Sequence, residues 1–280
     1  MSHRPDPCGR GADGFRREAK KHLGQNFLHE RGVIDRIVLA INPQAGDRIV
    51  EIGPGQGALT LPLLDRHHAL TAIEFDRDLL QPLAAAAQAH GDLTLVNADV
   101  LNVDFTALAS DGIPGTGLLR LVGNLPYNLS SPILFHALEH AGVIADMHFM
   151  LQKEVVERMA APPGNKVFGR LSVMLQAYCR VTPLFTVAPG AFRPAPKVDS
   201  AVVRLQPRQP ADIGIGDPAF FARVVRAAFG QRRKTLRNAL SSVLDVAAIE
   251  AAGLRPDARA EQLAVADFIR LSNGATTLSP

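Results

Sequence analysis

Short apolar runs alternate with helix-like segments along the first half of the chain, and this alternation restricts the possible folds more than any other feature. Five runs have the length and composition of buried strands, and they begin at residues 49, 69, 93, 118 and 146. A segment typical of a helix follows each run. Strands and helices in regular alternation predict an α/β protein with a parallel sheet that is covered by helices on both faces.

Composition sets limits on the class of protein. With 280 residues, of which 47% are hydrophobic, the chain has enough apolar material for one sizeable core and a second small one. No apolar run approaches the roughly 20 residues of a membrane span, and no export signal is visible, so we expect a cytoplasmic protein without membrane association. Cys8 and Cys179 are the two cysteines and lack metal-ligand spacing, so neither a disulfide nor a metal site is expected.

Composition also changes along the chain and predicts its division into domains. Residues 1–15 are rich in Pro, Gly and charge, and they are expected to form a flexible tail. Residues 16–206 then form the sheet domain. Residues 207–217 are expected to be a linker because this stretch is rich in Pro and Gly and has little apolar content. Residues 218–280 are expected to form a small all-helical domain.

A glycine loop connects the first of the five strands to its helix. Residues 53–57 read Gly-Pro-Gly-Gln-Gly, and Gly53 and Gly55 permit a positive φ and a close approach of backbone to ligand. Glu74 ends the next strand about 20 residues later, which is the spacing of a ribose-binding acid. Asp99 follows the third strand at the same edge, where it either accepts from an adenine amino group or caps a helix. A turn without a ligand remains the alternative for the loop itself.

The loop after the fourth strand has the groups needed to bind a nucleobase. The side-chain oxygen of Asn124 and the carbonyl of Leu125, held extended by Pro126, are placed to accept the two N–H bonds of an exocyclic amino group such as adenine N6. Tyr127 is expected to stack on the base. A sulfonium methyl group over the sheet edge would be the electrophile, and positioning would supply most of the catalysis. The alternative is an ordinary turn.

Three other local patterns give predictions. Residues 192–200 form a proline-stiffened loop that presents Phe192 and Lys197, although Phe192 is equally suited to the core. Ser130 is expected to cap the helix that follows the Asn124 loop. Pro82 is expected to delay or bend the helix after Glu74.

Basic residues cluster near the C-terminus. Between residues 221 and 240 there are six of them and no acid, which favours phosphate binding over a merely solvated helix face. They are Arg223, Arg226, Arg232, Arg233, Lys234 and Arg237. Together with Lys197 they are the candidate RNA-binding residues.

Five motifs together resemble one enzyme family. They are residues 24–28, 51–57, 123–128, 192–200 and 229–238. From about Lys20 to its end, the chain resembles the small-subunit ribosomal RNA adenine dimethyltransferases of the KsgA/RsmA type. The resemblance implies a Rossmann-like methyltransferase fold and S-adenosylmethionine as the methyl donor. It also implies dimethylation of two adjacent adenines near the 3′ end of small-subunit rRNA. Residues 1–19 lie outside the family pattern.

The resemblance also assigns roles to residues. The residues expected to bind the cofactor are Asn26, Leu28, Gly53, Gly55, Glu74, Asp99 and Asn124. The residues expected at the reacting base are Asn124, Leu125, Pro126, Tyr127 and, as a second aromatic wall, Phe192. The implied partners are small-subunit rRNA and the immature small ribosomal subunit. We expect a monomer that works without a metal.

Three other functions are considered. The related large-subunit rRNA dimethyltransferases of the antibiotic-resistance type share the Asn-Leu-Pro-Tyr type of loop, but the block at residues 229–238 favours the small-subunit group. A nicotinamide-dependent dehydrogenase would use the same half-fold, but it would leave that loop and the basic helices unexplained. A ribosome-assembly factor that only binds RNA is the third.

Overall fold

The computed structural model describes residues 25–110, 115, 117–231 and 233–276. The predicted tail at residues 1–15 lies outside the described residues. Nine strands are found, namely β1 (Phe27–Leu28), β2 (Arg48–Ile52), β3 (Ala69–Glu74), β4 (Asp92–Asn97), β5 (Leu119–Asn124), β6 (Ile144–Gln152), β7 (Cys179–Val187), β8 (Phe192–Arg193) and β9 (Ser200–Pro207), all within those ranges. No helix among the described residues is long and apolar enough to cross a membrane.

The described helices fall into two groups. Those that accompany the sheet are α1 (Arg31–Ile41), α2 (Thr60–His67), α3 (Arg77–Ala87), α4 (Phe105–Ser110), α5 (Ser130–Glu139), α6 (Lys153–Ala160) and α7 (Arg170–Tyr178). Those that follow the sheet are α8 (Pro210–Ile213), α9 (Pro218–Ala228), α10 (Leu236–Ala239), α11 (Val246–Ala251) and α12 (Val265–Thr276).

Seven strands form one sheet in the order β4-β3-β2-β5-β6-β9-β7. The five strands from β4 to β6 are parallel, as the alternation of strands and helices predicts, whereas β9 lies antiparallel between β6 and β7. From β2 the chain first builds outward through β3 and β4, then crosses back to place β5 on the other side of β2. Ligands of open α/β sheets bind where the strand order reverses in this way. The candidate site is therefore expected where β2 and β5 end.

Helices cover both faces of the sheet, because neighbouring strand residues point to opposite sides. Ile49 packs with Ile37 of α1 and Leu63 of α2, all of which are buried. On the other face, Val50 belongs to the cluster that includes Leu134 of α5 and the apolar sides of α6 and α7. The predicted arrangement of a parallel sheet with helices on both faces is confirmed.

The C-terminal helices share a hydrophobic core with the sheet domain. Phe221 and Val224 of α9 and Phe268 of α12 cluster with Val173 and Met174 of α7. The predicted linker at residues 207–217 contains the short helix α8. The helices that follow the sheet therefore pack on the surface of α7, which contributes to the same apolar cluster. The division into domains remains a prediction.

Local details differ from the sequence-based expectations at three places. Helix α3 begins directly at Arg77, capped by Asp76, and runs through Pro82, so the predicted late start is wrong. Ser130 does not cap α5, because its hydroxyl donates to the carbonyl of Pro126 at 3.1 Å. The sequence pattern also missed β1 and β8, which pair as a two-stranded antiparallel sheet.

Candidate active site

The glycine loop places backbone at the end of β2. Gly53 and Gly55 have φ values of 67° and 57°, in the left-handed region where a side chain is disfavoured. The Gly53 N–H donates to the carbonyl of Ile73 on β3 at 2.9 Å. A Cβ on Gly55 would lie 3.3 Å from ring carbons of Phe27, so the loop also packs closely under β1. The glycine loop is therefore held by a hydrogen bond to β3 and by packing against Phe27 of β1.

Glu74 ends β3 and is bonded to the loop. Its Oε2 accepts from the Gly55 N–H at 3.2 Å, and its Oε1 accepts from the Asp76 N–H at 2.8 Å. The side chain is 7% exposed, and burial raises the pKa of Glu74, against the effect of these two backbone bonds. The carboxylate therefore lies fixed at the sheet edge, as the spacing predicts.

Asp99 caps a short helix, which was the alternative predicted for it, and it also lies at the same sheet edge as Glu74. Its Oδ1 accepts from the Leu101 N–H at 3.0 Å and so caps a single 3₁₀ turn at Val100–Asn102. Asp99 also lines the cavity beside Glu74. Capping uses Oδ1, and the residue remains available to a ligand through its other oxygen.

Glu51 is a third carboxylate, which the sequence analysis did not assign to the site. It is 1% exposed, lines the cavity, and accepts from the Thr60 hydroxyl at 2.6 Å. Burial raises the pKa of Glu51 to about 7; the bond from Thr60 lowers it, and the charge of Glu74 raises it further. An acid next to the last residue of β2, between the apolar residues Val50 and Ile52, was the signal that could have found it.

The loop after β5 begins with a close approach between two strands. A Cβ on Gly123 would lie 2.4 Å from the carbonyl oxygen of Ile52, so only glycine lets β5 lie this close to β2. The Asn124 side-chain Nδ2 donates to the Asn26 carbonyl at 3.0 Å, and no described residue donates to its Oδ1. The amide group is thus oriented by its Nδ2 bond, and its oxygen has no donor among the residues that the structure describes.

Contacts with neighbouring strands hold the rest of this loop. The Leu125 N–H donates to the Met150 carbonyl at the end of β6 at 3.1 Å, whereas no described residue donates to the Leu125 carbonyl. Tyr127 is partly buried, and its hydroxyl lies 2.6 Å from the hydroxyl of Ser200. The loop therefore has two acceptor oxygens without a donor from the described part of the chain.

One cavity of about 270 Å³ brings these groups together. Ten of the predicted site residues line it, namely Asn26, Leu28, Gly53, Gly55, Glu74, Asp99, Asn124, Leu125, Pro126 and Tyr127. Its described lining includes the carboxylates of Glu51, Glu74 and Asp99, and no Lys, Arg or His. The cavity is acidic around Glu51, Glu74 and Asp99, which we call the cofactor end after its predicted ligand, and neutral at the loop after β5, which suits a positively charged ligand.

Phe192 does not belong to this lining. It is 2% exposed, forms β8 with Arg193, and packs with Leu28 and Val202 in the apolar cluster under the sheet. Phe192 therefore has the core position that the alternative interpretation predicted, and it forms no wall of the cavity. Burial of the ring against β1, which the sequence pattern missed, is the physical reason.

Phe75 is another lining residue that the sequence analysis missed. It follows Glu74 directly, and 59% of it is exposed although its side chain is large and apolar. An exposed aromatic ring beside a ribose-type carboxylate is suited to packing against a flat heterocycle. Its position immediately after the predicted acid was the available signal.

The predicted RNA-binding residues lie away from the cavity and face solvent. Those that the structure describes are Lys197, Arg223, Arg226, Arg233, Lys234 and Arg237, and all of them are exposed. Arg232 lies outside the described residues. The guanidinium of Arg223 lies 4.9 Å from the ring centre of Phe220. Among the described residues no cluster of His, Cys, Asp and Glu is arranged to hold a metal ion.

Comparison with known proteins gives a consistent result. Residues 16–277 match the family described as Ribosomal RNA adenine dimethylase. A curated protein of Xanthomonas oryzae pv. oryzae (strain PXO99A), named Ribosomal RNA small subunit methyltransferase A, is 70% identical over 259 residues, which cover 92% of this chain and 97% of that protein.

Two solved structures have the same fold over most of their length. A dimethyladenosine transferase from Plasmodium falciparum has a TM-score of 0.74 and 24% identity, over 88% of this chain and 95% of its own. The 23S rRNA methyltransferase ErmE has a TM-score of 0.66 and 26% identity, over 89% of this chain and 99% of its own. Both are similar in fold along nearly the whole described chain.

Proposed function

Because the chain belongs to the ribosomal RNA adenine dimethylase family, we propose that it transfers methyl groups from S-adenosylmethionine to the N6 atoms of two adjacent adenines near the 3′ end of small-subunit rRNA. The observation that carries this proposal is the cavity itself. It joins an acidic end to a loop with two acceptor oxygens, on Asn124 and Leu125, that receive no hydrogen bond from a described residue.

The residues of the acidic end fit the cofactor. S-adenosylmethionine carries positive charge on its sulfonium and ammonium groups. Glu74 and Asp99 offer negative charge, to which Glu51 adds when it is ionised, without a nearby cation in the described lining. Glu74 would accept the ribose hydroxyls, Asp99 the adenine amino group, and Phe75 would pack on the ring. When bound, the cofactor supplies an electrophilic methyl group.

The loop residues would orient the target amino group. Asn124 Oδ1 and the Leu125 carbonyl would accept the two N–H bonds of adenine N6, which fixes the direction of the nitrogen lone pair. Positive charge would develop on this nitrogen as the N–C bond forms and the S–C bond of the sulfonium breaks, and the negative ends of the two C=O dipoles would stabilise it. The nitrogen would then lose a proton to solvent. Asn124 and Leu125 are already held by their bonds to Asn26 and Met150, so these two acceptors need little reorganisation during the reaction.

The second transfer requires the loop to bind differently. After one methylation N6 has a single N–H, so one of the two acceptors loses its donor. A buried acceptor without a partner costs about 1–3 kcal/mol. We therefore expect the singly methylated adenine to be held less tightly, and to turn within the site before the second transfer.

The alternatives are less well supported. Identity is 70% with the small-subunit methyltransferase but 26% with ErmE, which does not favour the large-subunit function. A nicotinamide dinucleotide carries a negatively charged diphosphate, which the acidic lining at Glu74 and Asp99 disfavours. An assembly factor without catalysis would leave the cofactor-binding acids without a purpose.

The exposed basic residues would bring the RNA to the cavity. Replacing Arg233 and Lys234 with alanine should weaken rRNA binding and lower its salt dependence by up to about two phosphate contacts. Binding titrations at several salt concentrations measure this, with Arg66→Ala as a control because Arg66 is exposed on α2. If the dependence of rRNA affinity on salt were unchanged in the double variant, Arg233 and Lys234 would be solvated residues that do not contact the RNA.

The function is tested by supplying the protein with labelled S-adenosylmethionine and immature small subunits, then mapping the modified bases. We expect dimethyladenosine at two adjacent positions near the 3′ end of the rRNA. Label in large-subunit rRNA, or none, would contradict the proposal. Comparing naked rRNA with subunits in the same assay identifies the preferred partner. The monomeric state and the cytoplasmic location stay predictions.

A further inference from the structure

Tyr127 and Ser200 form a hydrogen bond between two segments that are far apart in sequence. Tyr127 belongs to the loop after β5 and lines the cavity, and Ser200 is the first residue of β9. Their hydroxyl oxygens are 2.6 Å apart, and either can donate. This distance is typical of a well-formed bond between two hydroxyls.

Ser200 is a rigid anchor for this bond. It is 0% exposed and lies in a strand that pairs on both sides, opposite Gln152 of β6 and Val187 of β7. The residue before it is held as well, because the carbonyl of Asp199 accepts from the Lys153 N–H at 2.9 Å. A hydroxyl on such a strand cannot follow the movements of a loop.

Tyr127, in contrast, depends on its partner. Its ring lies on a loop, is partly buried at the cavity, and has Ser200 as the hydrogen-bond partner of its hydroxyl. Burial raises the pKa of the Tyr127 phenol, so the group stays protonated at neutral pH and keeps its ability to donate. Without the bond, the ring would be free to rotate about its two side-chain torsions.

We propose that Ser200 is a positioning residue, whose hydroxyl fixes the ring of Tyr127 as the wall of the cavity against which the target adenine stacks. The proposal rests on the proposed function, since it assumes that an adenine enters this end of the cavity. It also gives the segment of residues 192–200 a role in the site. Because Phe192 is buried in the core, the segment reaches the site through Ser200.

The composition of the chain allows this bond to be observed directly. The sequence has two tyrosines, Tyr127 and Tyr178, and no tryptophan. Tyr178 lies between α7 and α9 with its ring 6.1 Å from that of Phe221, away from the cavity. In a Tyr178→Phe background, the tyrosine fluorescence therefore comes from Tyr127 alone.

The experiment measures the mobility of Tyr127 and the turnover in that background. Ser200→Ala should lower the residual fluorescence anisotropy of Tyr127 and reduce kcat/KM for methyl transfer about fivefold, as expected from one hydrogen bond of about 1 kcal/mol. Affinity for S-adenosylmethionine should stay within twofold. Ser200→Thr, which keeps the hydroxyl, should restore both the anisotropy and the turnover.

Tyr127→Phe, made in the wild-type background, removes the same bond from the other side and leaves the buried strand unchanged. It should lose as much turnover as Ser200→Ala made in the same wild-type background, and the double variant in that background should lose no more than either one. Additive losses, or an unchanged anisotropy in Ser200→Ala, would overturn the proposal. The anisotropy needs no turnover, so it tests the bond even if the wild-type protein methylates no adenine, a result that would contradict the function instead.

Discussion

The two ends of the cavity are held in place by different kinds of contact. At the cofactor end, Glu74 and Asp99 each accept from a backbone N–H two residues further along the chain. At the loop end, Asn124 is bonded to a residue 98 positions away, and Tyr127 to one 73 positions away. Glu74 also accepts from the Gly55 N–H, 19 positions earlier, so contacts within one strand–helix–strand unit place the acids, whereas the loop takes its shape only from the assembled sheet.

The largest effect is expected from removing an acceptor at the loop end. Asn124→Ala should lower kcat by about 100-fold to 1000-fold, in the range found when one preorganised polar group is lost from an active site. Binding of S-adenosylmethionine should weaken far less than turnover falls, because the variant loses only the Asn124 contact to the cofactor while Glu74 and Asp99 keep their own contacts. Turnover assays and calorimetric titration test the two parts separately. Normal turnover, or an equal loss of both, would remove the distinction between the ends.

A substitution where the two ends meet should affect both together. Gly123→Ala would place a Cβ 2.4 Å from the carbonyl oxygen of Ile52. Because this oxygen belongs to the backbone of β2, a change of side-chain rotamer cannot relieve the clash. We expect a loss of about 1–3 kcal/mol in the free energy of unfolding, with parallel losses of turnover and cofactor affinity. Gly142→Ala is the matched control, since a Cβ there meets nothing within 4 Å. Thermal unfolding of both variants decides; equal Tm values would show that β5 can shift.

Changing an acid should affect only the cofactor end. Glu74→Gln should weaken S-adenosylmethionine binding about tenfold, or about 1.4 kcal/mol, because a charged acceptor becomes a neutral one. The anisotropy of Tyr127 should not change. Glu139→Gln is a suitable control, because its side chain is 74% exposed on α5. A lower anisotropy of Tyr127 in the Glu74→Gln variant would show that the two ends of the cavity are coupled.

The smallest effect concerns the pH dependence of cofactor binding. With a pKa of about 7, Glu51 is protonated in the free protein below neutral pH, and a cationic cofactor favours its ionised form. Affinity should therefore rise by up to about tenfold between about pH 6 and 8 and then level off. Glu51→Gln should remove this rise. A slope that survives in the variant would assign the titration to another group.

The same group has the opposite influence on the stability of the free protein. The pKa of Glu51 is raised from 4.5 to about 7 on folding, so between these values the folded state binds more protons than the unfolded state. Its contribution to stability is hence present below about pH 4.5 and is lost as the pH rises through 7. Bound cofactor should compensate for this loss, which is a further difference between the acidic end and the neutral loop.

The difference between the ends also explains what could be predicted from the sequence. The five parallel strands, the glycine loop, Glu74 and Asp99 follow from periodicity and short spacings, because each of these elements is marked by a pattern within one short stretch of the sequence. The pairing of β1 with β8 and the contact of Tyr127 with Ser200 join distant segments, and no spacing reveals them. Phe192 shows the consequence, since only its tertiary neighbours decide between core and site.

The central claim is that Asn124 and Leu125 together bind the amino group of the target adenine. A structure of the protein with S-adenosylhomocysteine and an adenosine-containing RNA fragment tests it most directly. We predict adenine N6 within about 3.2 Å of both Asn124 Oδ1 and the Leu125 carbonyl oxygen. An adenine held in the cavity with N6 bonded to neither oxygen would contradict the account.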